Sequence, residues 1–411
     1  MWELIKINKR NSVLLLGAMG SVLLILGYVL GTVFGRGNPQ AGWIGMAVAT
    51  GIWLFMMLIS LSAGDQIMLA ASKAVPVTQE VHPMLFNVVE EMKIAANLKK
   101  MPKIYIINDP APNAFATGRS PESASIAVTA GLLSKLNRDE LQGVVAHEMS
   151  HIIHRDILFV TLAGVMLGSI VLISQVFLRS MFYSSLGSRR RYSSGNSKGG
   201  GQAQAIMMIV AVLFAILAPI FAQILYFALS RKREYLADAG AVRLTRYPAG
   251  LAGALEKIGG SNINMEAANK VTAPMYIANP FRGKKKVNLY STHPPIEERI
   301  RVLRNMTHGA AYVNYEKSYE EVTKRSPVVP ASALTSEEVA IREATAESKS
   351  TQTAKQQARQ VGDLMRKVSQ FAFVTCACGL TMKIPPNYKD SNVKCPRCRK
   401  ISSVKQESTG N

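Results

Sequence analysis

Asn137-Arg138-Asp139-Glu140-Leu141-Gln142-Gly143-Val144-Val145-Ala146-His147-Glu148-Met149-Ser150-His151 is the stretch from which the rest of the chain is read. Asn137 is a favoured N-cap residue, and Glu140 three positions on completes a capping-box pattern. Leu141, Val144 and Val145 then follow at the spacing of one buried helical face. The pattern predicts a helix with His147 and His151 one turn apart on the same side. Two imidazoles so placed reach a single Zn²⁺ at about 2.0–2.1 Å. Glu148, beside them, is placed to hold a water on the metal and take its proton. The competing reading is two solvated histidines on a polar helix face, so the motif needs context.

A hydrolytic zinc site wants a third protein ligand and one open position. One known continuation puts Gly three and His six residues after His151; this chain has His154 and Ile157 there. The alternative is an acidic ligand on a later helix. Arg233-Glu234-Tyr235-Leu236-Ala237-Asp238 supplies two carboxylates four residues apart, hence on one face. Glu234 can complete the metal shell. Asp238 can accept the N–H of a ligating imidazole and fix its tautomer. His154 lies roughly 10 Å along the axis from His147 at about 1.5 Å per residue, a poor fit to one tetrahedral site.

The composition points to a membrane. Of 411 residues 48% are hydrophobic, yet the formal net charge is +21. Apolar blocks alternate with basic ones, and no base-stacking motif accompanies the charge, so no nucleic-acid partner is expected. Asn11–Gly35, Gly37–Gly64, Ile157–Leu178 and Gly199–Ser230 are uncharged and each long enough to span a ~30 Å hydrocarbon core. Lys6, Lys9 and Arg10 before the first run, and Lys73 after the second, predict a cytoplasmic N-terminus. If His147 and Glu234 share one ion, the chain between them crosses an even number of times. Two crossings are expected, which places the loop of Arg189, Arg190 and Arg191 outside, against the usual charge bias.

Between the apolar runs lies soluble-type sequence. Val81–Leu98 has helical periodicity and stops before Pro102. Lys103–Ile107, Asn113–Gly118 and Ser125–Thr129 read as short strands of a small antiparallel sheet beside the metal helix. An exposed edge at Asn113, Ala114 and Phe115 could pair with an extended substrate backbone. His293, in Thr292-His293-Pro294-Pro295, could donate to an oxyanion or serve as a loop histidine. Residues 318–370 have few large apolar side chains and read as a linker. The four cysteines cluster as Cys376-Ala377-Cys378 and Cys395-Pro396-Arg397-Cys398, the spacing of a structural zinc ribbon rather than a disulfide framework. Free thiolates imply a reducing compartment, and a site closed by four of them leaves no place for water. The expected organisation is thus 1–75 membrane hairpin, 76–156 metal-helix core, 157–230 second membrane pair, 231–317 rest of the core, 318–370 linker and 371–411 ribbon.

Asp109-Pro110-Ala111-Pro112-Asn113-Ala114-Phe115-Ala116-Thr117-Gly118, Gly131-Leu132-Leu133, the His147–His151 helix, Arg233–Asp238 and Thr292–Pro295 occur in one order. As a set they resemble the HtpX family of bacterial membrane zinc endopeptidases, over roughly Met1 to Met306. The resemblance implies a mainly helical α+β membrane protein with a zincin-like core. It implies proteolysis of misfolded or surplus membrane proteins, as in quality control and stress response, by a multi-pass protein of the bacterial inner membrane with its site facing the cytoplasm. It implies His147, His151 and Glu234 as zinc ligands and Glu148 as catalytic carboxylate; His293 matches the downstream histidine that helps stabilise the transition state. The linker and the ribbon, which would add a second Zn²⁺, depart from the family pattern. They leave room for another reading, a membrane adaptor with a vestigial peptidase core. A CAAX prenyl protease shares the zinc chemistry but would want more than four spans.

Overall fold

The computed structural model describes residues 2–35, 37–187, 200–268, 275–280, 293–334, 338–345, 354–388 and 390–404. The arginine loop at 189–191, the basic stretch at 282–286 and Thr292 lie outside them. Helices α1 (Trp2–Phe34) and α2 (Pro39–Ala71) form a hairpin. Asn38 caps α2, accepting from Gln40 N at 2.9 Å, and Pro39 begins it where no backbone donor is needed. The two helices pack through small residues. A Cβ on Gly31 would fall 2.8 Å from the Gly45 Cα, so only glycine permits this approach.

Strands β1 (Ala74–Pro76), β2 (Lys103–Ile107), β3 (Ala114–Thr117) and β4 (Ser125–Thr129) form one sheet in the order β1-β2-β4-β3. Helix α3 (Pro83–Ala95) precedes β2 and is shorter than its periodicity predicts, ending where Asn97 turns left-handed (φ 52). The sheet is mixed rather than antiparallel: β4 runs parallel to β2 and antiparallel to β3. Asp109 explains the difference. Its carboxylate accepts from Ala111 N at 2.8 Å and from Glu266 N and Ala267 N at 2.8 and 2.9 Å, which holds the chain in a wide turn away from β2. The gap this leaves is filled by β4, and β3 becomes the outer edge.

Helix α4 (Ala130–Lys135) leads into α5 (Arg138–Ile153), which carries His147 and His151. Its capping box is formed as the sequence predicts: Asn137 Oδ1 accepts from Glu140 N at 2.9 Å and Glu140 accepts from Asn137 N at 2.8 Å. Helix α5 lies between β3, α3, α7 (Gly200–Thr245) and α8 (Pro248–Gly259) in the main core with Leu85, Val88, Ile126, Val128 and Leu251. Gly143 lets α8 close on α5, since a Cβ there would meet Leu251 N at 2.6 Å.

Four helices among the described residues are long and apolar enough to cross a membrane: Leu4–Phe34, Pro39–Ala71, Asp156–Phe182 within α6 (Asp156–Gly187), and Ala205–Thr245 within α7. They share a second apolar cluster, with Met19, Leu23 and Leu26 against Met166, Ala215 and Ala222. Their outer faces carry exposed Leu14, Ile44, Phe55, Val176 and Phe221, as a lipid-facing surface requires.

Helices α9 (Ile296–Arg304) and α10 (Tyr312–Thr323) complete the core. Here the structure departs from the expected linker at 318–370. Tyr319, Val329 and Ala333 are buried in the main core, as is Met365 of α11 (Ala354–Val368), which packs on α4. A few well-spaced large side chains suffice because each fills a groove already walled by other elements. Hairpins β5 (Ala372–Thr375)–β6 (Thr381–Ile384) and β7 (Asn392–Lys394)–β8 (Ile401–Ser403) form the last unit, with its own small core.

Candidate active site

His147 and His151 project from one side of α5 with ring centroids 4.9 Å apart. Helix α7 brings Glu234 between them: its carboxylate oxygens lie 3.6 Å from His147 Nε2 and 3.5 Å from His151 Nε2. One donor atom from each of the three falls within 4.8 Å of the others. His147 Nε2, Glu234 Oε2 and Glu148 Oε1 are all buried with no hydrogen-bond partner among the described residues. Orphaned donors converging in a buried space are the expected signature of a site that holds a cation. The electrostatics agree. Burial opposes a charged His147, but Asp238 and Glu234 hold its pKa above the ordinary imidazole value. His151 is likewise opposed by burial, yet Asp156 and Glu234 push it up to about 10. The field at this point favours positive charge, and three ligands of the right type fit zinc.

Asp238 sits one turn beyond Glu234, its Oδ1 2.9 Å from His147 Nδ1. This turns Nε2 toward Glu234, the orienting role expected from spacing. Arg299, from α9, was not singled out in the sequence. It is 1% exposed and donates to both Asp238 oxygens at 2.7 and 2.8 Å and to Ile277 O at 2.8 Å, while standing 3.3 Å from Glu234. The only hint was Pro294-Pro295 ahead of a charged helix.

Glu148 is 1% exposed, and burial raises its pKa above the usual carboxylate range. It shares a narrow cleft with Ala116, His151 and Met275. The edge strand is more restricted than expected. Asn113 and Phe115 pair toward β4; Ala114 and Ala116 face outward. Ala114 O already accepts from Ile277 N at 2.9 Å, and the Asn113 side chain is bonded to Ala278. Ala116, beside Glu148, is the outward position next to the cleft. His293 is buried near Glu234, with burial lowering its pKa, and its Nε2 meets the Tyr276 carbonyl. His154 points elsewhere: it pairs with Ser150 Oγ at 3.3 Å and borders a separate cavity of about 150 Å³.

Comparison with known proteins fits this geometry. The sequence profile of peptidase family M48 matches residues 79–307. A protease HtpX homolog of Dictyoglomus turgidum is 45% identical over 305 residues, covering 74% of this chain and 94% of that protein. The chain belongs to the HtpX proteases of peptidase family M48. Another HtpX homolog, from Listeria monocytogenes, is 43% identical over 308 residues, 74% of this chain and all of its own length. Among solved structures, S. mikatae Ste24p aligns over 74% of this chain and 67% of its own at 21% identity, with a TM-score of 0.38. With the HtpX relatives, the four apolar helices make this a multi-pass bacterial membrane metalloprotease, and the M48 family implies zinc. The vestigial-adaptor reading finds no support, since no ligand type is missing from the M48 site.

The M48 match ends before α10, so the ribbon is an addition to it. Cys376, Cys378, Cys395 and Cys398 form a second group able to hold a metal ion. Cys376 and Cys398 sulfurs are 3.3 Å apart, those of Cys378 and Cys395 3.6 Å. Backbone N–H of Cys398 lowers the Cys395 pKa, while the neighbouring thiols raise that of Cys398, as expected where four sulfurs share one small space.

Proposed function

We propose that this metalloprotease cleaves unfolded or surplus membrane proteins at the cytoplasmic face, using His147, His151 and Glu234 as metal ligands and Glu148 as general base. The observation that carries this reading is the buried convergence of the three ligands beside the unpartnered Glu148 oxygen. Zinc bound there would supply a Lewis acid that acidifies water and polarises a carbonyl. Glu148, its pKa raised by burial, takes the proton of the attacking water and returns it to the leaving amine. Asp238 and Arg299 keep His147 and Glu234 aimed at the common centre. His293 would donate to the oxyanion by exchanging its bond to Tyr276 for one to substrate. An extended substrate adds beside Ala116, since Asn113, Ala114 and Phe115 have little outer edge left.

The sidedness rests on α1. Its first turns, carrying Lys6, Lys9 and Arg10, lie at the same end of the membrane helices as the site, because Asn8 reaches Asp156. Basic residues at that end favour the cytoplasm. The ribbon cysteines would hold a second, structural zinc. The test uses full-length protein in lipid nanodiscs with zinc and an unfolded membrane-protein substrate. Glu148→Gln should abolish cleavage and leave the metal bound. Cleavage at the parent rate by that variant would refute the assignment.

A further inference from the structure

Asp238 has a counterpart on the other imidazole, and it comes from the membrane domain. Helix α5 ends at Ile153, and Arg155 then takes a left-handed conformation (φ 57), which is unfavourable for a non-glycine residue. That corner returns the carboxylate of Asp156, the first residue of α6, to the ring five residues earlier. Asp156 Oδ2 lies 3.4 Å from His151 Nδ1, and Asp156 is 2% exposed. Both ligating rings therefore face a buried carboxylate with Nδ1 and Glu234 with Nε2.

Asp156 is itself fixed from α1. Asn8 Nδ2 donates to Asp156 Oδ1 at 2.8 Å. One turn further along α1, Ser12 Oγ accepts from Arg233 at 2.7 Å. Arg233 is the residue before the ligand Glu234; its guanidinium stacks on Phe159 at 3.7 Å, and its Nε is 3.7 Å from Asp156 Oδ1. Arg233 is 4% exposed, Ser12 8%. A helix that served only as an anchor would not need polar contacts at two successive turns, one half-buried at Asn8 and one buried at Ser12. Such groups are costly to bury unless they are paired, and here they pair with the neighbours of two metal ligands.

We infer that Asp156 is the positioning residue for His151, and that the first membrane helix, through Asn8 and Ser12, is a structural part of the catalytic site. The inference rests on the ligand assignment above, and its readout is metal affinity as well as turnover. Zinc affinity of the full-length chain is measured by chelator competition in nanodiscs, alongside kcat and KM. Asp156→Asn should raise the zinc Kd about 10–100-fold, the usual effect of removing a ligand's carboxylate partner. It should lower kcat with KM nearly unchanged, and Asp156→Glu should recover part of the affinity. Asn8→Leu should act in the same direction by about 3–10-fold, and the double variant should be no worse than Asp156→Asn, because one contact serves through the other. Parent zinc affinity in Asp156→Asn, or losses that multiply in the double variant, would overturn the inference. If Asp156→Asn does not fold, Asn8→Leu decides alone: Asn8 touches no ligand, and unchanged zinc affinity there sinks the proposal. Glu234→Gln separates the two readings. If it keeps zinc, the ligand set is wrong; if it loses zinc while Asp156→Asn does not, only this inference fails.

Discussion

Arg299 shows how much of the site depends on one side chain. Its planar fork meets Asp238 with two parallel hydrogen bonds, which a lysine cannot reproduce. Removing it strands a fully buried carboxylate. Arg299→Ala should therefore lose about 3–5 kcal/mol of stability, read from denaturant unfolding in detergent. Arg299→Lys should fold, yet bind zinc about 10–100-fold more weakly by chelator competition, because Asp238 no longer holds His147 in place. Parent affinity in the lysine variant would show that charge alone suffices. The convergence of these residues was legible in the sequence because each pair sits within about one helical turn: His147 with His151, Glu234 with Asp238, which faces His147 Nδ1. Arg299 was not, because its contact forms across helices far apart in the chain. The recognisable motif at His293 lies six residues before Arg299 and does not include it.

At the scale of elements, the ends of the two ligand helices are tied by a segment beyond the family match. Arg342 donates to Asp139 Oδ1 at 2.8 Å and Gln142 Oε1 at 2.6 Å on α5, and to Thr245 O at 3.0 Å at the end of α7. Thr345 adds N–H and hydroxyl bonds to Asp139 at 2.8 and 2.7 Å. The arrangement suits both helix dipoles: a carboxylate in the first turn of α5, a guanidinium at the carbonyl end of α7. Burial alone would raise the Asp139 pKa, but Arg342 and Thr345 outweigh it and lower the value. A depressed carboxylate pKa stabilises the fold fully above the unfolded value, ~3.9, and the contribution is lost as pH falls through the folded value. Arg342→Ala should thus cost about 1–3 kcal/mol at pH 7. The deficit relative to the parent should shrink below about pH 4. A deficit that does not change with pH would remove Asp139 from the account. This strap was invisible in the sequence because polar anchoring leaves no hydrophobic period. The sheet was half legible for a related reason. Each strand showed its β-rich run, but the parallel β2–β4 pair depends on Asp109 binding residues 266 and 267, far along the chain.

For the whole molecule, the apolar clusters divide labour. One surrounds α5, one joins the four membrane helices, one with Leu69, Phe115 and Tyr276 backs the sheet, and the ribbon keeps a small one of its own. The bridge of Asp363 to Lys383 ties α11 to the ribbon, while Asp363 also pairs with Arg366 of its own helix. A partly exposed surface pair of this kind contributes about 0–1 kcal/mol. With a metal bound by its four cysteines, a ribbon of this size would owe its fold to that ion, since structural zinc supplies about 10–16 kcal/mol in comparable small units. Loss of that ion should therefore unfold residues 372–404 without disturbing His147, His151 or Glu234. By elemental analysis the parent should hold two zincs per chain and Cys395→Ser one. That variant should show fast amide exchange in β5 to β8 and keep turnover of a soluble unfolded substrate within about twofold, as two thermodynamically separate sites require. Glu234→Gln should do the reverse, emptying the catalytic site while the hairpins stay protected. If Cys395→Ser instead lost both ions, the contacts of α11 with α4 would have to transmit far more than their one buried methionine suggests, and the ribbon would be part of the catalytic fold rather than an appendage to it.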